Sequence, residues 1–426
     1  MSISISLIRF ETINNRKMKF IHTADLHIGQ VLYQNYGRAD EHDHFFMQLQ
    51  SWCREHHPDA LLVSGDIFDI QQPGASVKEA FTRHFVNLVE ACPDMTVVIT
   101  AGNHDSASRL HADRAIWKRS GVHIVGVPPV SEPPADDDRW MEDFIVRTDS
   151  GYIVALPYVT GDREDVIQRL LDKVAEENTD GKPVVMMGHL AVTGADVTGH
   201  DLEIGTLRTQ SVDSLGQGYD YLALGHIHMP QTIGHPHDSF EEEVTYPSGV
   251  VRYSGSALHV SCDETYPHSV SLVDIAERGG DVSVRQLYID QLRHFYVLPE
   301  DAGKSFASSD EALAAVKKFA AEKGSGYFRL RVAYEAALPS DFNQSVYEII
   351  KVYDEQVRYN PKIIWTGVPH KDKAETLVFE VAELQQMTDP MKFIEKTSDR
   401  YQGLNIDDLR EVFREVEEEI KSKGDK

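Results

Sequence analysis

Lys19-Phe20-Ile21-His22-Thr23-Ala24-Asp25-Leu26-His27 is an apolar, β-branched run that passes directly into an aspartate and a histidine. Four further stretches repeat the arrangement. Ala60–Ser64 is followed by Gly65-Asp66-Ile67-Phe68-Asp69, Thr96–Thr100 by Gly102-Asn103-His104-Asp105, Pro183–Met187 by Gly188-His189, and Tyr221–Leu224 by Gly225-His226-Ile227-His228. Each run is nearly continuous in apolarity, which predicts strands buried on both faces. Weaker strand patterns lie at Ile153–Leu156 and Val270–Ile275. Between strands, Asp40–His57 carries Phe45, Phe46, Leu49, Trp52 and Cys53 at helical spacing, and Val77–Glu90 carries Phe81, Phe85 and Leu88. Strands alternating with amphipathic helices predict an α/β domain.

In an open α/β sheet the carboxyl ends of the strands share one edge, so ligand-type side chains distant in sequence converge there. Glycine before the polar residue in four of the five blocks allows a sharp turn and close backbone approach. Asp25 and His27 are spaced to share one side of an extended segment, as are His226 and His228, so each pair can chelate one ion. Aspartate, asparagine and histidine without cysteine suit Mn²⁺, Fe or Zn²⁺ better than Ca²⁺ or Cu(I). Seven such residues (Asp25, His27, Asp66, Asn103, His189, His226 and His228) are too many for one tetrahedral ion. Two metals about 3.5–4 Å apart and sharing a carboxylate would use them all, and such a pair serves in-line displacement at phosphorus. A single Gly-His or Asp-x-His is more often a capped turn than a ligand; five in order at strand ends are not explained that way. His56, His57, His84, His123, His200, His235 and His237 lack such partners and read as surface or packing residues.

The chain has 426 residues, which fits two or three packed units. Lys+Arg 42 against Asp+Glu 68 gives a net charge of −26, so nucleic acid would need a local basic patch or a partner that supplies one. Three sparse cysteines, Cys53, Cys92 and Cys262, argue for a reducing, cytoplasmic compartment. No apolar run approaches the roughly 18–20 residues needed to cross a bilayer, so no membrane partner is expected. Residues 1–17 lack the features of a secretory leader and read as an appendage, with Met18 as a possible start because it opens the first strand. The proline- and aspartate-rich Val127–Asp138 reads as an exposed connection. Residues 18–290 are expected to form the catalytic domain. Residues 291–385 are expected to form a small α+β unit, with helices at Ser305–Lys323 and Asp341–Tyr353 and strands at Phe328–Tyr334 and Glu375–Val381. Residues 386–426 are expected to form a helical tail whose narrow stripe Leu409, Val412, Phe413, Val416 and Ile420 suits packing on another helix or coiled coil, or docking on its own α+β unit.

The five blocks resemble the calcineurin-like metallophosphoesterases, whose pattern D-x-H, G-D-x-x-D, G-N-H-[DE], G-H, G-H-x-H is matched between Asp25 and His228. The resemblance implies a sandwich of two mixed sheets flanked by helices. Within that superfamily, Thr23-Ala24-Asp25-Leu26-His27-Ile28-Gly29, Gly65-Asp66-Ile67-Phe68-Asp69 with Pro73 downstream, and Gly102-Asn103-His104-Asp105-Ser106 resemble the SbcD-type nucleases. That likeness implies Asp25, His27, Asp66 and His228 on one ion, and Asp66, Asn103, His189 and His226 on the other. It also implies Mn²⁺ as the metal and a metal-activated water as nucleophile. His104 is then a general acid or phosphate contact, and Asp69 and Asp105 orient the histidines and nearby groups.

It further implies a capping α+β domain, a helical tail that binds an SbcC-type ATPase, a homodimer within a larger complex, and DNA exonuclease and endonuclease activity on ends, hairpins and single strands in repair, recombination and replication. Arg109, Arg114, Lys118 and Arg119, after the third block, are candidate DNA contacts, though a solvated helix face explains them equally well. Ile70 and Asp105 stand where protein phosphatases of the superfamily typically carry arginine and glutamate, which weakens that reading. A small-molecule phosphodiesterase or phosphatase is the alternative.

Overall fold

Successive side chains of a strand point to opposite faces, so strands apolar throughout need cover on both sides. The computed structural model describes residues 17–134, 137–159, 161, 163–198, 209–236, 240–260, 264 and 266–367. Two mixed sheets supply the cover. The first has seven strands in the order Glu243–Tyr246, Val282–Tyr288, Ser269–Ile275, Met18–Thr23, Ala60–Ser64, Thr96–Thr100 and Val122–Val125. Met18–Thr23 pairs parallel with Ala60–Ser64 and antiparallel with Ser269–Ile275. The second has six strands in the order Gln231–Thr232, Val250–Tyr253, Tyr221–Gly225, Val184–His189, Tyr152–Ala155 and Ile145–Arg147.

Alternation along the first sheet divides its apolar residues between two cores. Phe20, Leu62 and Val98 join Val154, Val185 and Met187 of the second sheet in one cluster. Ile21, Leu61, Val63, Val97 and Ile99 face the other way, onto Phe45, Leu49, Phe81, Phe85 and Leu88. Those aromatic and leucine residues come from the helices Ala39–His56 and Ala75–Ala91, whose apolar stripes the sequence marks. The helix Glu164–Glu177 adds Ile167, Leu170, Leu171 and Val174 to the first cluster. Arg109–Arg119 forms two short helices, Ala107–Ala112 and Arg114–Lys118, interrupted at Asp113.

Beyond residue 290 a separate cluster, including Phe319, Phe328, Leu330, Val346 and Tyr359, fills a three-stranded parallel sheet and its helices. The strands are Phe295–Leu298, Gly326–Ala333 and Val357–Thr366. The first helix begins at Ser309, later than expected, because the Ser308 hydroxyl caps it by accepting the Glu311 N–H at 3.3 Å. The second ends at Ile350 and continues as a 3₁₀ turn through Tyr353. Val357–Thr366 was not anticipated, since Pro361 argues against a strand; a register shift opposite Arg329 and Arg331 accommodates it. Residues 1–16, the expected strand Glu375–Val381 and the tail stripe Leu409, Val412, Phe413, Val416 and Ile420 lie outside the described residues.

The two parts meet at a buried carboxylate. Glu41, 1% exposed, receives Arg38 on Oε2 at 2.7 and 3.0 Å, and on Oε1 the Tyr327 hydroxyl at 2.6 Å and Arg358 at 3.0 Å. Arg293 approaches the same oxygen at 3.4 Å. Replacing Glu41 with leucine strands these guanidinium groups, and breaking a buried ion pair from one side costs about 3–5 kcal/mol. Urea unfolding is expected to show a loss of that size, and a loss below about 1 kcal/mol would mean the network contributes little.

His22 lies between the two sheets, its Nδ1 3.0 Å from the Tyr221 hydroxyl. Burial, then the charge of Arg252, pushes its pKa down to about 3. The unfolded chain therefore takes up a proton near pH 6.5 that the folded chain refuses until about pH 3. The stabilisation is complete above pH 6.5 and is lost as pH falls through that window, at up to about 1.4 kcal/mol per pH unit. Urea unfolding at pH 7 and pH 4.5 is expected to give a smaller pH difference for His22→Gln than for the unaltered chain.

Candidate active site

Two carboxylates are sunk at the carboxyl edges of the strands: Asp25 is 1% and Asp66 2% exposed. An ionised acid in that position must be hydrogen-bonded, paired or bound to metal. Asp25 accepts the His226 backbone N–H on both oxygens, at 2.9 and 3.1 Å, and Asp66 Oδ1 accepts the His104 N–H at 2.8 Å. Asp66 Oδ2 lies 3.4 Å from His189 Nε2 and 3.9 Å from His27 Nε2, between the two imidazoles. Asn103 Oδ1 is 3.0 Å from both His189 Nε2 and His226 Nδ1.

Potential ligand atoms fall into overlapping groups within 4.8 Å of one another: Asp25, His27 and His228; Asp25, Asp66 and His189; and His27, Asp69 and His104. Asp25, Asp66, His27, Asn103, His189, His226 and His228 are thus gathered at one place, as the sequence pattern requires. His226 and His228, whose spacing would allow one ion to take both, face different neighbours. His228 sits against His27, ring centroids 5.5 Å apart, whereas His226 sits against His189 at 5.2 Å. The cause is backbone: His226 adopts φ +95°, so the segment is not extended and its two rings diverge. Asp25, His27 and Asp66 also have positive φ, at +51°, +45° and +49°. Such strain collects where function over-determines geometry.

Close approach explains three of the glycines. A Cβ on Gly65 would stand 2.1 Å from His189 Nδ1, one on Gly102 2.0 Å from Asp66 Oδ1, and one on Gly225 1.9 Å from the Ser64 carbonyl oxygen. Gly188 is different, since its nearest contact would be a leucine methyl at 3.2 Å.

Burial raises the Asp25 carboxyl. Burial would raise Asp66 too, but His189 by charge and hydrogen bond, and then His27, hold it far below the usual range. His189 is opposed by burial yet raised to about 9 by Asp66, and burial pushes His228 down to about 4. The field that draws a proton to His189 also draws a divalent cation. The donor set fits one: the His27 ring is 3% exposed, and neither nitrogen has a hydrogen-bond partner among the described residues. His189 is set up as a ligand by its other nitrogen, since Nδ1–H donates to the Ser64 carbonyl at 2.8 Å and leaves the Nε2 lone pair facing Asp66 and Asn103.

His104 is exposed beside the site, its Nδ1–H donating to the Asp69 carbonyl at 2.9 Å and its ring 5.0 Å from His27. Asp69 Oδ1 lies 3.5 Å from His27 Nδ1. Asp105 accepts the backbone N–H groups of Ile67, Phe68 and Gly102 at 2.8–3.0 Å, tying the second and third blocks together. Arg109, Arg114, Lys118 and Arg119 are all exposed and form no ion pair among the described residues.

The sequence pattern matches the calcineurin-like phosphoesterase family over residues 18–230. The chain belongs to that family. The SbcD component of the SbcCD nuclease of Rhodobacter capsulatus is 31% identical over 290 residues, covering 61% of this chain and 67% of that protein. The SbcD component of Escherichia coli K12 is 28% identical over 315 residues, 69% of this chain and 74% of that one. That of Bacillus subtilis is 27% identical over 271 residues, 60% of this chain and 66% of that one. The phosphoesterase is therefore a hydrolase of the metal-using kind.

Two contributors to the phosphoesterase site escaped the sequence reading. His42 Nε2 lies 2.8 Å from the Leu26 carbonyl, fastening the segment between Asp25 and His27 to the helix Ala39–His56. Glu264 Oε1 lies 2.9 Å from His228 Nδ1. Burial pushes Glu264 up to about 7, against the pull of His268 and the Val260 N–H. Neither belongs to a recognisable spacing, and Glu264 is one of 68 acidic residues in the chain.

Gly102→Ala must displace Asp66 or the Gly102–Asp105 turn, and is expected to lower bound divalent metal by at least about tenfold, the scale for disturbing the shell around metal ligands. Equilibrium dialysis with metal analysis checks this; wild-type loading would show that the turn yields freely.

Proposed function

We propose that the chain is a metal-dependent DNA nuclease of the SbcD type, cutting double-strand ends, hairpins and single strands together with an SbcC-type ATPase. The observation that carries the phosphoester chemistry is Asp66, whose Oδ2 stands between His27 and His189, a carboxylate two ions can share. The names of the relatives support DNA as the phosphoester and an SbcC-type protein as the partner.

In this reading Asp25, His27, Asp66 and His228 hold one divalent ion and Asp66, Asn103, His189 and His226 the other, with Mn²⁺ as the physiological metal. Bound there, the pair supplies Lewis acidity to the phosphoryl oxygens and lowers the pKa of water. Asp66 and Asp25 set the charge of the pocket, and His226 and His104 backbone N–H groups fix their oxygens. In its imidazolium form His104, with Nδ1–H held by the Asp69 carbonyl, presents Nε2–H toward the leaving oxygen, where it delivers a proton or donates a hydrogen bond. Asp69 and Asp105 hold His104 and the glycine turn in place.

Arg109, Arg114, Lys118 and Arg119 give a locally cationic surface for DNA on a chain of net charge −26. Residues 18–290 are the nuclease domain, 291–385 the cap and 386–426 the ATPase-binding tail, through Leu409, Val412, Phe413, Val416 and Ile420. The protein acts as a cytoplasmic homodimer within the complex, in DNA repair, recombination and replication. No helix among the described residues is long and apolar enough to cross a membrane.

An end-labelled hairpin DNA, incubated with Mn²⁺ with and without the cognate ATPase, tests the reading. Cleavage is expected, with ATPase stimulation, and is expected to vanish on chelation and in Asp66→Asn. Hydrolysis of an aryl phosphodiester without DNA cleavage would sink the nuclease reading and favour a small-molecule phosphodiesterase. His104→Ala is expected to keep its metal while turnover falls about 10²–10⁴-fold, the range of general acid–base contributions; unchanged turnover would remove His104 from the mechanism.

A further inference from the structure

We propose that Glu264 is the positioning residue of His228, fixing Nδ1 as the protonated nitrogen and turning Nε2 into the metal pocket. The inference rests on the metal-site reading above and goes beyond the family motif, whose last residue is His228. Glu264 is 2% exposed, and its Oε1 lies 2.9 Å from His228 Nδ1.

A neutral imidazole has one donor and one acceptor nitrogen, so a fixed acceptor at Nδ1 leaves the Nε2 lone pair for a cation. The carboxylate is itself held. Oε2 accepts the Val260 N–H at 2.8 Å and lies 3.4 Å from His268 Nε2. The neighbouring His259 carbonyl accepts a hydrogen bond from the buried Arg38 guanidinium. His189 shows the same logic with a different acceptor, the Ser64 carbonyl at 2.8 Å. The two imidazoles therefore reach the site in the same tautomer by separate means, one through a backbone carbonyl and one through a carboxylate 36 positions along the chain.

The test uses the full chain, with free Mn²⁺ followed by electron paramagnetic resonance at pH 8. Glu264→Leu is expected to weaken one of the two Mn²⁺ binding events by about 10–100-fold, the usual penalty for losing the partner of a metal-ligating histidine. Glu264→Gln, which keeps an oxygen for Nδ1–H, is expected to recover most of it. In a His228→Ala background Glu264→Leu should add nothing, because the two residues act as one unit. Unchanged Mn²⁺ binding in Glu264→Leu, or an equal loss with and without His228, would overturn the assignment. If Glu264→Leu does not fold, ring ¹⁵N shifts of His228 in the Zn²⁺-loaded wild-type chain decide: Nδ1 protonated supports it and Nδ1 unprotonated overturns it. A wild-type chain that binds no Mn²⁺ overturns the metal-site reading as well, and so is distinguished from failure of the Glu264 assignment alone.

Discussion

Two buried carboxylates, Asp25 and Asp66, repel each other across the site, and the surrounding structure is organised to hold them together. Among the described residues neither is paired with a lysine or arginine; their ion-pair neighbours are histidines. What compensates them is backbone N–H groups delivered by turns: His226 to Asp25 and His104 to Asp66. Those turns require positive φ at Asp25, Asp66 and His226 and a glycine wherever another segment presses in. Unusual backbone of this kind costs on the order of 1–3 kcal/mol per residue. It persists because each turn is rooted in a strand packed on both sides, as at Ala60–Ser64, where every residue is buried. The rigidity of the sandwich is thus what lets a highly charged pocket exist at its edge.

That origin explains what sequence could and could not show. A strand buried on both faces needs an unbroken apolar run, and the residue that follows it necessarily lies at the sheet edge, so both the strands and the site residues stand together in the chain. His226 and His228 mark the limit of the argument, because same-side placement holds only while the backbone stays extended, and a φ of +95° at His226 sends the two rings to different neighbours. Glu264 and His42 lie further out of reach. Their partners are chosen by tertiary approach, and a lone acid or histidine in a loop or helix carries no period to betray it. The strand Val357–Thr366 was hidden for a local reason, since the Pro361 that breaks its pattern is absorbed by a register shift only its neighbour reveals.

The same tertiary contacts join the site to the α+β unit. The short hairpin Val31–Leu32 and Tyr36–Gly37 follows His27 almost at once, and its Leu32 and Tyr36 cluster with Tyr327. On the other side of the site, His259 stacks on Phe295 at 4.9 Å, and Phe295 on Tyr327 at 4.5 Å. Tyr327 in turn donates to Glu41 and receives Arg358. One tyrosine of the α+β unit is therefore in contact with the hairpin after His27 and, through Phe295, linked to His259.

Swinging the α+β unit about residue 290 would part Glu41 from Tyr327 and Arg358 and break the contacts that join the two parts. Breaking a buried pair from one side costs several kcal/mol, far more than thermal energy supplies. The same swing would drag the hairpin after His27 and the segment before Glu264, and so disturb the geometry that catalysis needs. The Glu41 contacts therefore hold the α+β unit against the sandwich and, through it, the hairpin that follows His27.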